Sequence, residues 1–327
     1  MTLRELDALT IARLPRWSYI GGSLAIENNV LLDSVLEPCT LFEIGGDLEI
    51  SRSPSLRRVE GFGLLQWLQG DVRISHHDWD RSATGRSQLT PAREQGAIGA
   101  FVVADNRRLE EVIGFESLRV AESHVSIDSN QRLRRITAPA GGVWIGENSN
   151  LVELPPLRGR NTLLSVHGNA ALSDLSDSKD AQFVIVDLSQ NPALISLDGF
   201  NLAGGWVDLS VADNEQLGSL RGVGIAAPAP HASLRILSND SLSDASALEP
   251  MTVHPPGQAI IANNPMLPQS QAASLAERLG TIEGKASGNL GWEPPATCPW
   301  QDGVCDELPY YGVVLCPVGS DGADCDG

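Results

Sequence analysis

Only a few residues of this chain combine a reactive type with a telling spacing. His76, His77, Asp78 and Asp80, in the run HHDWD, carry donors suited to a divalent metal. Neighbouring residues of a strand point to opposite faces, however, and His77 falls on an inward repeat position, which favours a structural role. Arg132, Arg134 and Arg135 close an arginine cluster that begins at Arg57 and Arg58 and continues through Arg107 and Arg108. Such a cluster could hold an anionic glycan or an acidic partner, or could form a ladder of surface salt bridges worth little per pair. Trp144 and Trp206 are candidate exposed aromatics, able to stack on a sugar or to cover a loop. Asp187 and Asp208 fall near the strands of neighbouring repeats, where a polysaccharide lyase or hydrolase could place its carboxylates. No GxSxG, P-loop, HExxH or strand-linked GxGxxG occurs. No cofactor, metal or catalytic residue is therefore assigned.

These residues must be positioned by a repeat. Its skeleton is clearest in VIVDLSQNPALISLDGF: Val186, Leu188, Asn191, Leu194, Leu197 and Gly199. With the Asn as position zero, apolar residues stand at −5, −3, +3 and +6, and often a Gly at +8. Asn29, Asn106, Asn130, Asn148, Asn169, Asn191, Asn214, Asn239 and Asn264 occupy position zero, while Ser53 and His77 replace it in two copies. A period this short over most of the chain means a solenoid. The −5/−3 alternation reads as a short strand with one face inward. The +3 and +6 residues turn inward again on the next sides of the coil. About eleven coils at about 4.8 Å each would make a rod roughly 50 Å long. A buried amide needs partners, since leaving it unsatisfied costs about 1–3 kcal/mol. Stacked coils supply them as an Asn ladder, each amide bonding its counterparts above and below or the turn backbone. Asn also tolerates the left-handed conformation that a corner needs. On this numbering Asp187 sits at −4 and Asp208 at −6, and the two are not expected to face the same way in register. Trp144 falls at an outward −4 position. Arg134 and Arg135 stand at +4 and +5, one coil beyond Glu110 and Glu111.

The next Leu after the Asn falls at +3, commonly as N-x-x-L or N-P-x-L, whereas an ordinary leucine-rich repeat places it at +2. With Leu188, Asn191, Pro192, Leu194, Leu197, Gly199 and Phe200, the chain resembles the receptor L-domain family, most of all its bacterial multi-repeat members. The resemblance covers roughly residues 24–289. It implies a right-handed parallel β-helix, an L-domain-like all-β solenoid, with a binding or structural role and no catalytic residues. Bacterial chains of that kind often end in a helix after the last N-P-x-L. Here Ser270 is a candidate N-cap, Leu275 and Leu279 share one face and Gly280 is a stop, so a capping helix is expected at about 270–280.

The solenoid is thus assigned to residues 1–290, with a loop insertion at 78–96 that breaks the third coil. Residues 1–23 read as a partial coil, with Trp17 and Tyr19 covering the open core end. Cys39 reads as a small buried apolar residue. Residues 291–327 are a different segment, holding Cys298, Cys305, Cys316 and Cys325. An even set confined to the tail suggests two disulfides of undetermined connectivity. Disulfides imply export, either extracellular or to the cell envelope, and hence a signal sequence upstream. A cytoplasmic location is the alternative, and free tail thiols on protein from its native cell fraction would favour it. The formal charge of −18 argues against nucleic acid and anionic membranes as partners. No apolar run approaches a transmembrane length. The expected role is that of a non-enzymatic, exported surface repeat protein, lipoprotein-like in general type, that binds an unknown protein or glycan. A polysaccharide-active enzyme and a purely structural spacer are the alternatives.

Overall fold

The structure is a computed structural model and describes residues 1–37, 40–76, 100–118, 124–138, 142–155, 157–175, 180–198, 200–202, 206–225, 231–251, 257–280 and 283–289. Cys39, the 78–96 insertion with His77, Asp78 and Asp80, and the tail with its four cysteines lie outside the described residues.

The chain is an all-β parallel solenoid with one short helix near its C-terminal end. Every strand pairing in it is parallel, and residue 186 of one coil stacks on residue 164 of the coil before and 209 of the coil after. Among the described residues the main sheet has 15 strands. The eleven repeat positions read from the sequence follow eleven consecutive strands of its main path, from Leu24–Glu27 to Gly257–Ala262. One further strand lies at each end, Thr2–Arg4 and Glu283–Ser287. A 5-stranded sheet carries the +5/+6 side from Ile11–Arg13 to Arg135–Ile136, and a 3-stranded sheet closes the third side of the first coils.

The repeat explains the core directly. The −5 and −3 residues, such as Val143 and Ile145 or Leu209 and Val211, are wholly buried. So are +3 and +6 residues such as Leu194 and Leu197 or Leu217 and Leu220. A tight turn delivers the +3 side chain inward: the N–H of Leu194 donates to the Asn191 carbonyl at 3.1 Å, and that of Leu217 to Asn214 at 3.2 Å. One residue beyond the +8 glycine, Phe62 and Phe115 stack at 5.0 Å. No coil could bury these residues alone; each uses its neighbours as the other half of its core.

The zero-position Asn side chains, fully or nearly fully buried, run through the stack as a continuous hydrogen-bonded column from Asn106 to Asn289. From Asn106 to Asn264 each donates to the same kinds of partner. Asn191 Nδ2 donates to the Ser189 carbonyl of its own coil and the Val166 carbonyl of the coil before, both at 2.9 Å. It also lies 3.3 Å from Asn214 Oδ1 in the next coil. Asn191 Oδ1 accepts the backbone N–H of Asn169 at 3.1 Å. The left-handed corner residue is not the ladder Asn, as expected from its type, but the residue before it. Glu5, Asn28, Arg52, Asp105, Ser129, Glu147, Gln190, Asp213, Ser238 and Asn263 all have φ between +52° and +58°. The Asn is therefore selected for its side-chain bonds, and the strain of the corner falls on a neighbour of almost any polar type.

The helix spans Gln269–Leu279, with Ala272, Leu275, Ala276 and Leu279 buried. Its N-cap is Pro268 rather than Ser270, which lies within the first turn, and no side chain caps it. Gly280 ends it, its N–H bonding the Ala276 carbonyl. Gln269 Nε2 donates to the Ala286 carbonyl at 3.0 Å and Arg278 Nη2 to the Leu248 carbonyl at 2.9 Å, which fastens the helix to the last coils. At the opposite end Trp17 and Tyr19 are 36% and 58% exposed.

Candidate functional site

Parallel stacking turns each repeat position into a row along the solenoid, so any site must be read row by row. The +4 row runs Asp33, Arg57, Glu110, Arg134, and the +5 row runs Ser34, Arg58, Glu111, Arg135. Signs alternate. Arg57 Nη2 lies 2.9 Å from Glu110 and Arg58 Nε 3.5 Å from Glu111, so the glutamates pair with the coil before them. Arg134 and Arg135 stack on the far side of the same glutamates and are exposed, as is Arg132. These pairs join half-exposed arginines to partly exposed glutamates, so each is worth roughly 0–1 kcal/mol.

Trp144 belongs to a different surface. It projects from the outer face of the main sheet, 44% exposed, whereas Arg135 lies on the 5-stranded sheet. The structure therefore does not bring Trp144 together with the arginines. Within its own −4 row Trp144 stands between Ser126 and Ser165, followed by Asp187, Ser210 and Arg235. The −2 row beside it runs Asp128, Gly146, His167, Ser189. The two rows meet around one imidazole. The His167 ring stands edge-on to Trp144, with centroids 4.8 Å apart and planes at 69°. It lies over Gly146, where an added Cβ would come within 2.3 Å of its Cε1 and 2.6 Å of its Nε2. The same point is 2.5 Å from Asp128 Oδ1, so the carboxylate and the imidazole close over the glycine from both sides.

Asp187 forms the other wall. Ser189 of the same coil and Ser210 of the next stand beside it, and both act to lower its pKa. Its Oδ1 is nevertheless buried with no hydrogen-bond partner among the described residues, and so is His167 Nδ1. Ser165, on the floor between Trp144 and Asp187, is only 3% exposed although it points outward. Trp144, Ser165, His167 and Asp187 thus form a notch two coils wide, about 10 Å at the usual strand spacing. Asp208 corrects the sequence reading. Positions −4 and −6 have the same parity, so Asp208 shares the outer face with Asp187; it sits opposite Ile185, one step diagonally away.

Burial pushes the Asp187 carboxyl above its ordinary value of 3.8, and the nearby Asp208 charge adds to this, against the lowering effect of the serines and His167. Its proton is held more tightly in the folded chain than in the unfolded one, so ionisation costs stability. The cost is absent below 3.8 and complete above the raised folded value. Asp187→Asn should therefore melt higher than the wild type at neutral pH. That gain should vanish as the pH falls to 3.8. A variant that melts lower at neutral pH would mean that the carboxylate supports the fold.

Sequence reading placed Trp144 outward but missed His167 and its niche; the signal available was a glycine at −2 with a bulky residue at −2 of the following coil. Among the described residues no group of three or more His, Cys, Asp or Glu is arranged to hold a metal. A second concavity, of about 420 Å³, lies along the corner and is lined by Asp105, Arg107, Ser129, Gln131, Glu147 and Ser149. It is polar and open, with no aromatic residue. Among the described residues no helix is long and apolar enough to cross a membrane. No protein-family model, curated protein or solved structure matches the chain.

Proposed function

We propose that this protein is a non-enzymatic binding module of L-domain-like type, exported to a bacterial surface or envelope, whose outer main-sheet face takes a glycan chain. The observation that carries this reading is Trp144: an exposed indole on the outer face of a parallel sheet, in a row with Ser126, Ser165 and Asp187. An aromatic face paired with fixed polar groups suits a pyranose, whose apolar face stacks while its hydroxyls hydrogen-bond. A carboxylate retained in a notch that disfavours its charge also fits a functional rather than a structural role. The repeat register and the helix after the last N-P-x-L support the family likeness, and the four tail cysteines support export.

Affinity electrophoresis in gels containing a neutral β-linked glucan or N-acetylglucosamine oligomers tests the reading. The wild type should be retarded, and Trp144→Ala should weaken retention by about tenfold, the scale of one aromatic contact with its polar partners. Unchanged retention in Trp144→Ala would remove the notch as the binding surface. One observation favours a second reading, an acid–base hydrolase: Asp187 and Asp208 share the outer face and Asp187 holds its proton tightly. New reducing ends from a bound glycan, lost in Asp187→Asn, would establish that alternative.

A further inference from the structure

In its own row Trp144 is flanked by Ser126 and Ser165, which are too short to fix an indole. Among the described residues the ring contact that orients it is with His167, one coil on. The imidazole reaches the indole only because Gly146 has no side chain: a Cβ there would come within 2.3 Å of the ring. The seat is incomplete in one respect. His167 Nδ1 is buried with no hydrogen-bond partner among the described residues. A neutral imidazole can present its unprotonated nitrogen on that side, as an acceptor without a donor. In an imidazolium both nitrogens are donors, so the same seat would bury a charged N–H with no acceptor, the costlier arrangement. Acceptors stand on either side. Asp128 faces the ring across Gly146 from the strand His124–Asp128, Glu147 follows Gly146 at the corner, and Asp187 comes from the strand Asp180–Ser189, with Asp208 beyond it. These are the charged groups around the ring among the described residues, and all are acids.

We propose that His167 is the positioning residue of the notch and works as a proton-operated latch: the neutral ring lies over Gly146 and fixes the Trp144 indole, and the imidazolium turns towards the carboxylates and frees it. Gly146 belongs to the device, because it is the space that seats the ring. The consequence for binding rests on the glycan reading and adds regulation to it. A fixed indole has less freedom to lose on stacking against a sugar than a loose one. Glycan should therefore be held at neutral pH and released as the pH falls through the interval in which imidazoles titrate, about 5–8.

Fluorine NMR of the full chain, with 5-fluorotryptophan at its 7 Trp positions, reads the latch without any ligand. Trp144→Phe identifies the Trp144 line. Between about pH 8 and pH 5 that line should move along a single one-proton curve. His167→Gln, which keeps a flat polar side chain but does not titrate, should hold it still. Asp187 also keeps its proton more tightly than usual, and a curve of its making would persist in His167→Gln. Gly146→Ala should evict the ring, moving the line off its wild-type position at about pH 8 and removing its pH dependence. The nearest atoms to the added Cβ are the ends of the His167 and Asp128 side chains, which can rotate away, so the fold should stand. A line that does not titrate in the wild type, or that titrates equally in His167→Gln, would overturn the latch. Affinity electrophoresis on N-acetylglucosamine oligomers reads the consequence: retention should be about threefold to tenfold stronger at the neutral end, the scale of one aromatic contact, and His167→Gln should remove the difference. Equal retention at both ends of the range would overturn the regulation and leave glycan binding standing. No retention at either end would overturn the glycan reading, whereas the fluorine line alone decides the latch.

Discussion

Asn191→Leu is expected to destabilise the solenoid by about 3–6 kcal/mol, read as a fall in the urea midpoint. Leucine has the branching of asparagine but bulkier methyl groups, so some overpacking adds to the polar loss. Five contacts are lost together: those of the Asn169 N–H at 3.1 Å and the Asn169 Nδ2 at 3.2 Å, of the Val166 and Ser189 carbonyls at 2.9 Å each, and of the Asn214 Oδ1 at 3.3 Å. All sit beside a side chain with no exposure, where water cannot replace them. Asn214 Oδ1 keeps the Asn191 N–H, the Ser189 carbonyl keeps the Gly168 N–H and Asn169 Nδ2 keeps two carbonyls; at about 1–3 kcal/mol for each of the Asn169 N–H and the Val166 carbonyl, with overpacking added, the sum falls in that range. The position matters as well as the number. In a stacked array each coil leans only on its neighbours, so a break at the centre divides the cooperative unit and should broaden the transition. Asn191→Ser is the informative companion. Ser53 already occupies the zero position of an earlier coil and reaches its own −2 carbonyl, Ser51, at 3.3 Å. Serine should therefore recover part of the loss. An unshifted midpoint in Asn191→Leu would show that the ladder contributes nothing to stability.

The same column shows why part of this protein was legible in its sequence. Asn recurs with apolar residues at fixed offsets because few alternatives satisfy the ladder and the inward faces: another residue type leaves buried polar groups short of partners, and another spacing turns Val186 or Leu188 outward. The corner conformation left no such trace. Glu147, Gln190, Asp213 and Ser238 share a left-handed φ but no side-chain chemistry, since it is their backbone that the corner constrains. The outer face is intermediate. Its rows follow from the repeat numbering, and parity alone places Asp208 on the face of Asp187. What the numbering does not carry is which of two stacked partners a flexible side chain chooses. Glu110 lies between Arg57 and Arg134 and pairs with Arg57; His167 folds over Gly146 because the missing Cβ leaves room there. Such choices depend on rotamers and local volume, which a period cannot encode.

The +8 glycines extend this reasoning to a position where the sequence signal is backbone geometry alone. Gly61, Gly114 and Gly222 have φ of +103°, +108° and +97°, well outside the ordinary left-handed range of L residues. Each also lies directly against the preceding coil. A Cβ on Gly61 would fall 1.8 Å from the Glu37 carbonyl oxygen, and one on Gly222 would fall 2.5 Å from Asp198 Cα. Neither neighbour can rotate away, because both are backbone. Gly61→Ala should therefore cost about 2–6 kcal/mol, combining a disfavoured φ of about 1–3 kcal/mol with comparable overpacking. It should exceed Gly222→Ala, where the overlap is smaller. The displaced strand would be Ser34–Leu36, which pairs with Arg58–Glu60, and beside it the buried Glu37, whose Oε1 accepts the Leu41 N–H at 3.1 Å. Damage should therefore appear in hydrogen exchange of the first coils before it reaches the C-terminal half, as expected where stability is a sum of local and nearest-neighbour parts. Gly218→Ala is the control, since an added Cβ there meets nothing within 4 Å and its φ is ordinary. Equal tolerance at Gly61 and Gly218 would mean that adjacent coils are not held at the separation on which both the ladder and the Trp144 notch depend.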